Sequence, residues 1–475
     1  MNGFNLSDIT DAKLGTTTLG SIYLGSTKLW PLGTDYSKEY LTFESLADNN
    51  RILWKLNGDM AAKTIEWSID KTNWTSAIAS TSNTPVSLAT LNKGEKMYLK
   101  GGNATYASSA SKYSHFDSDY EFNVSGNIMS LIYGDNFIGQ ITLSSSYNFV
   151  SIFKGSKVVD ASNLILPATT LTSNCYYGMF SVCTSLVAAP ALPATTLASS
   201  CYSNMFYGCT SLATAPELPA TTLTGTYCYS YMFKGCTSLT TAPELPATTL
   251  TADCYGYMFH GCTSLATAPV LPATTLENYC YEHMFQNCTS LTAAPALPAT
   301  TLANYCYNNM FNGCTSLATA PVLPATTLKL SCYDSMFYKC TSLATAPELP
   351  ATTLANYCYS NMFYKCTSLA TAPVLPATTL ADYCYSSMFY KCTSLDTAPV
   401  LPATTLVKSC YYYMLYGCTS LIYIKCLATD ISASSSHKNW VSYVAATGTF
   451  VKPASMTSWS SDESGIPSGW TVVNV

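Results

Sequence analysis

The sequence predicts a mainly β solenoid with short helices, carried by ten near-identical repeats and preceded by a small β-sandwich-like domain. Three observations support this. The string L-P-A-T-T-L occurs ten times, from Leu166–Leu171 to Leu401–Leu406. Each copy is followed by C-Y-x-x-M-[FL]-x-x-C-T-S-L, with the first Cys at 175, 201, 228, 254, 280, 306, 332, 358, 384 and 410. The period is 26 residues, with one 27-residue copy where T-G-T-Y precedes Cys228. Self-similarity at a fixed period marks stacked coils, none of which buries its apolar face alone. At about 4.8 Å per coil, ten coils span about 50 Å.

Within one coil, C-Y-x-x-M-F-x-x-C reads as a short helical or 3₁₀ stretch. At 100° per residue both Cys and the Met share a narrow arc, with Tyr and Phe at its edge. Offsets two and six from the first Cys then face outward. The following T-S-L-x-x-A-P-x-L-P is too rich in Pro for a helix and reads as a short strand or extended turn.

Composition excludes several function classes. Charged residues are 10%, hydrophobic residues 48%, and the net charge is −5. Such a chain is not a disordered tail, and without a basic block it is not expected to bind nucleic acid. No apolar run reaches the ~18 residues of a membrane helix. The N-terminus M-N-G-F-N-L-S-D-I-T-D lacks the pattern of a secretory signal, so synthesis in a reducing cytoplasm is expected. There the 21 cysteines read as buried thiols rather than a disulfide framework. Without a C-x-x-C, and with an in-repeat spacing of eight, they do not form a zinc pattern.

The unit M-F-x-G-C-T-S-L-x-x-A-P-x-L-P resembles the BspA-like leucine-rich repeats of bacterial surface and phage proteins, over residues 166–421. The first Cys departs from that pattern, standing where the family usually places an aliphatic residue. The resemblance implies a right-handed coil of strand plus short helix. The leader, with Ser21–Pro31, resembles N-terminal pieces of structural proteins from phages of gut Bacteroides-type bacteria, and the segment after Leu421 resembles C-terminal segments that follow such repeats in Bacteroides-type proteins.

The domain reading follows in order. Residues 1–35 form an N-terminal attachment segment. Residues 36–125 are expected to form a separate small β domain, with strand-like runs at Tyr40–Glu44, Arg51–Leu56, Thr64–Ile69 and Lys96–Lys100, and the stretch I-E-W-S-I-D-K-T-N-W-T resembles a hairpin of immunoglobulin-like accessory modules. Its Trp67 and Trp74 are core and hairpin aromatics, or a platform for sugar rings. Residues 126–165 are a connector and first cap, 166–421 the solenoid, and 422–475 the C-terminal cap.

No catalytic, cofactor or metal site is expected. His115, His260, His283 and His437 share no metal spacing. Glu217 and Glu244 occupy one column, as a glycosidase pair would, yet Val270, Val322 and Val374 fill the same column elsewhere. Offset six reads Ser181, Tyr207, Lys234, His260, Gln286, Asn312, Tyr338, Tyr364, Tyr390, Tyr416, and the next position adds Lys339, Lys365 and Lys391. Tyr227, Tyr279, Tyr305, Tyr357 and Tyr383 precede the first Cys. Exposed Tyr among Asn and Ser is the composition of adaptable recognition surfaces, and the Lys row adds charge suited to an acidic polysaccharide. Tyr338, Tyr364, Tyr390, Tyr416, Lys339, Lys365 and Lys391 are therefore the candidate ligand-binding residues. Mutual packing of the rings is the competing account.

The sequence-level expectation is a non-enzymatic virion protein of fibre or decoration type. Its partners would be other virion proteins through the N-terminal region and a host-surface glycan or protein, with neither nucleic acid nor membrane insertion. A homo-oligomer is compatible with this. The alternatives are a bacterial cell-surface adhesin, a capsule-degrading glycosidase and a spacer without ligand.

Overall fold

The computed structural model describes residues 35–79 and 84–475, and the backbone of four short strands between residues 13 and 30. Those four form two hairpins: β1 (Lys13–Leu14) with β2 (Thr17–Thr18), and β3 (Ile22–Leu24) with β4 (Thr27–Trp30). The rest of the expected attachment segment lies outside the described residues, apart from Asp35.

From residue 41 onward, runs rich in β-branched and aromatic residues form two facing sheets. One holds β5 (Leu41–Ser45), β7 (Lys63–Ser68), β8 (Thr75–Ala79), β10 (Lys96–Gly101), β13 (Phe122–Asn127) and β14 (Asn163–Ile165), in the order β14-β13-β5-β10-β7-β8. The other holds β6 (Asn50–Asn57), β9 (Val86–Leu91), β11 (Ala107–Ser109) and β12 (Lys112–Ser118), in the order β11-β12-β6-β9. Phe43 of the first sheet meets Phe116 of the second edge-on, with ring centroids 4.9 Å apart, and Trp54 packs on Phe116 at 4.5 Å.

The two sheets pack directly against the first coil. Strand β13 pairs antiparallel with β5 and parallel with β14, whose residues belong to the first coil. Tyr106 stacks on Phe149, and Phe149 on Tyr176, the first Tyr of the repeats. Phe116, Phe153 and Phe180 continue the neighbouring column. One core cluster runs without a break from Leu41 to Trp470. The sheets cover the first coil, and residues 146–165 are themselves a coil with Phe149 and Phe153 in the Tyr and Phe columns. Gly126 shows how close the junction is. With φ at +81°, a side chain there would start 1.9 Å from the Tyr40 carbonyl oxygen.

The expected short helices are absent. Among the described residues the one α-helix, α1 (Ser130–Tyr133), lies outside the repeats. In the C-Y-x-x-M-F-x-x-C segment every fourth residue has positive φ, for example Tyr305 (58°), Asn309 (54°) and Gly313 (76°). A left-handed residue ends any run of helical dihedrals. Hydrogen bonds alternate instead. Met310 N–H reaches back to Tyr307 O within the coil, and Phe311 N–H crosses to Met336 O in the next. The result is a flat turn ribbon that bonds coil to coil along its length.

The Pro-rich segment pairs only through isolated parallel bridges, such as Thr241↔Thr267 and Thr275↔Thr301. Flanking Pro residues, lacking an N–H, stop the ladder from spreading. The interior repeats by column. In one coil Cys306, Met310, Phe311, Cys314 and Leu317 are fully buried, with Tyr307, Leu323, Ala325 and Leu328 nearly so. All 21 cysteines are free and buried. The second Cys of each coil also donates a hydrogen bond from Sγ to the Phe carbonyl of the preceding coil, as from Cys314 to Phe285 at 3.0 Å.

After Leu421 the stack continues as a parallel sheet of β15 (Tyr423–Lys425), β16 (Thr449–Lys452) and β17 (Thr471–Asn474). Trp440 stacks on Tyr411 at 6.0 Å and on Trp459 at 5.5 Å, which closes the aromatic column.

Candidate recognition surface

Offsets zero, one, four, five and eight fill the core, and offsets three, six and seven lie toward solvent. The outward phase expected for offset six holds, although the backbone producing it is not a helix. The one expected for offset two is corrected: Ser203, Ser230, Asn308 and Ser360 there are buried, because the turn ribbon does not advance by 100° per residue.

Along that offset, Tyr338, Tyr364, Tyr390 and Tyr416 form one continuous stack. Ring centroids lie 4.4, 4.3 and 4.7 Å apart, with interplanar angles of 7°, 1° and 1°. Tyr443 closes the far end edge-on at 5.1 Å. The faces of Tyr364 and Tyr390 are therefore covered by their neighbours, and a sugar ring cannot lie flat on them. Their edges and hydroxyls remain. Burial and the adjoining phenols push the Tyr364 pKa upward, so this hydroxyl stays neutral.

Lys339, Lys365 and Lys391 stand beside this stack, with Nζ 5.3, 5.4 and 5.5 Å from the centroids of Tyr338, Tyr364 and Tyr390. That is within cation–π range. All three have positive φ, at 59°, 60° and 55°. The same position is Gly208, Gly235, Gly261, Gly313 and Gly417 in other coils, where the left-handed backbone carries no Cβ penalty. None of the three lysines has an ion-pair partner among the described residues.

The tyrosines before the first Cys also pair across coils, Tyr279 with Tyr305 at 4.8 Å and Tyr357 with Tyr383 at 4.5 Å. All have positive φ.

A second cluster, not anticipated from sequence, lies nearer the N-terminus. Tyr231, Tyr257 and His283 stack at 4.6 and 4.3 Å, with Lys234 Nζ 5.1 Å from both tyrosines. His260 also packs on Tyr257, at 5.9 Å. The two histidines of neighbouring coils thus share one ring. Burial pushes His260 down to about 4 and lowers His283. Beside them, burial and then the charge of Asp253 push Glu282 up to about 7. Glu282 and Asp334 occupy offset two, a column that also holds the buried small polar residues Ser203, Ser230, Asn308 and Ser360. Burial raises Asp334 to about 6, against hydrogen bonds from Ser335 and Asn361. An acid in a column of serines was the available signal.

Glu217 and Glu244 are exposed beside a 360 Å³ surface cavity that they line with Leu218, Pro219 and Pro246. Their column also exposes Val270, Val322 and Val374, as expected of an outward row. Trp67 packs against the core. Trp74 lies against the edge of Tyr40 at 5.0 Å, under Lys100 Nζ at 4.2 Å, and donates its indole N–H to Lys71 O. His115 and His437 lie far along the chain from this cluster, one in β12 and the other in the C-terminal coils. No group of three or more His, Cys, Asp or Glu side chains suited to a metal ion occurs among the described residues. No described helix is long and apolar enough to cross a membrane.

Comparison with known proteins places these features in a family. No curated protein matches the chain. Two solved structures are similar to it. A leucine-rich repeat protein from Bacteroides ovatus shares 17% identity, with a TM-score of 0.37, over 76% of this chain and 96% of that one. A leucine rich cell surface protein from Faecalibacterium prausnitzii shares 18% identity, with a TM-score of 0.25, over 58% and 86%. The family described as BspA type leucine rich repeat region (6 copies) matches residues 152–292, 191–318 and 304–437, together more than half of the sequence. With its columns of Leu, Phe and Cys stacked coil upon coil, the chain belongs to the BspA-type leucine-rich-repeat family.

Proposed function

We propose that this chain is a non-enzymatic recognition protein, displayed on a phage virion as a fibre or decoration, whose Tyr–Lys wall contacts a host-surface glycan or protein. The observation that carries the recognition reading is the row of Lys339, Lys365 and Lys391 beside the tyrosine stack, in three consecutive coils where five others hold Gly, one Val182 and one Asn287. With no ion-pair partner among the described residues, these charges are left for a ligand. The virion setting draws support from the resemblance of the leader to phage structural proteins. In it, the N-terminal region attaches to other virion proteins and the solenoid faces outward.

A bacterial cell-surface adhesin is the second reading, since BspA-type repeats are shared by surface and phage proteins. Mass spectrometry of purified particles and of washed cell envelopes separates the two. The chain is expected in the particles, and recovery from envelopes alone overturns the virion setting. Recognition is tested by attachment of the purified protein to host cells. Lys339→Gly with Lys365→Gly and Lys391→Gly is expected to abolish attachment, and unchanged attachment overturns the assignment of this wall.

A further inference from the structure

We infer that the Lys339–Lys365–Lys391 row takes a linear anionic polysaccharide carrying a negative charge on every sugar, one charge per coil. The inference rests on the recognition reading above and names its ligand class.

Spacing is the first argument. Lys339 N–H bonds to Tyr364 O, Lys365 N–H to Tyr390 O and Lys391 N–H to Tyr416 O, each at 2.7 Å. The lysine backbones are thereby locked to a rise of about 4.8 Å per coil, close to the advance of one pyranose along an extended chain. Three ammonium groups without protein counter-charges therefore form a rigid ruler with sugar periodicity. Its ends are set by Gly313 on one side and Gly417 on the other. A Cβ on Gly417 would stand 2.9 Å from Lys391 Cγ, so the bare glycine makes room for the lysine stem.

The tyrosines supply the second argument, by what they cannot do. Their faces are covered by one another, which leaves phenol edges and hydroxyls. Single-stranded nucleic acid depends on open aromatic faces for base stacking, and this wall has none between Tyr338 and Tyr416. A glycan needs what remains: hydroxyls to exchange hydrogen bonds with sugar hydroxyls, and ammonium groups for its carboxylates or sulfates. The chain's net charge of −5 confines attraction for a polyanion to this local row.

The test uses the full chain and four polymers. These are polygalacturonate (a carboxylate on every sugar), hyaluronate (on every second sugar), neutral dextran and single-stranded oligothymidylate. Polygalacturonate is expected to bind most tightly, and to weaken about tenfold or more between about 50 and about 200 mM salt. Lys339→Gly/Lys365→Gly/Lys391→Gly is expected to lose at least about tenfold in that affinity. Its melting temperature should equal or exceed that of the unmodified protein, because Gly relieves the left-handed backbone. Polygalacturonate binding no better than dextran, or unaffected by the triple substitution, overturns the inference. Oligothymidylate binding as tightly replaces the glycan with a nucleic acid. Cell attachment that needs the lysines but is not competed by polygalacturonate removes this ligand class and leaves the recognition reading standing.

Discussion

Glu282 makes the stability of the solenoid depend on pH in a way that can be worked out from its surroundings. It stands in a column of buried serines, with a side chain 17% exposed. Burial is the main cause and Asp253 the second in raising its pKa from 4.5 to about 7. His283 Nε2, 3.7 Å from Oε1, gives little relief because its own burial keeps it neutral. A rise of this size corresponds to about 3 kcal/mol, which solvent screening of a partly exposed group reduces to about 1–2 kcal/mol. The sign follows from linkage. With the folded pKa above the unfolded one, the contribution to stability is complete below about pH 4.5 and is lost as pH rises through about 7. Glu282→Gln removes the ionisation. The variant should match the unmodified protein near pH 4 and exceed it by about 1–2 kcal/mol at pH 8. Urea unfolding at a series of pH values reads this difference. His260 and His283, both depressed by burial, destabilise each protein as pH falls below about 6.5 and cancel in the comparison. A difference that stays constant from pH 4 to 8, or a variant less stable at pH 8, would refute the desolvation argument.

Three further outcomes are expected. Tyr333→Phe should raise stability by about 1 kcal/mol in thermal unfolding, because the Tyr333 hydroxyl is buried without a hydrogen-bond partner among the described residues; a loss of similar size would reveal a hidden hydrogen bond. Phe311→Ala should cost about 3–5 kcal/mol, since the ring is fully buried between Phe285 and Phe337 at 5.7 Å from each. Hydrogen exchange should quicken in the adjacent coils as well, and an effect confined to one coil would contradict the shared core. A thiol reagent should find almost no reactive cysteine in the native protein and all 21 after denaturation, because burial pushes thiols such as Cys314 up to about 12; rapid native labelling would count against the inward columns.

The repeat arithmetic alone determined that equivalent residues lie above one another. A constant 26-residue period leaves no other arrangement for Cys306, Cys332 and Cys358, or for Tyr338, Tyr364 and Tyr390. It also placed the Cys and Met columns inward, because they share one arc and are apolar in every copy. The helical backbone was beyond its reach. Over nine residues, offsets zero, four and eight fit a period of 3.6 as well as one of four, and the glycines at offset seven were the local sign of left-handed residues. The union of the N-terminal sheets with the first coil depends on β13 pairing with β14 across the chain, a contact between segments without shared pattern. The raised pKa of Glu282 and Asp334 likewise came from burial that neighbouring coils impose on one column. Finally, whether the outer tyrosines offer their faces or their edges was decided by ring orientation in the stack. Identical residues one coil apart sit close enough for their rings to satisfy one another, and only the packed structure shows that they do.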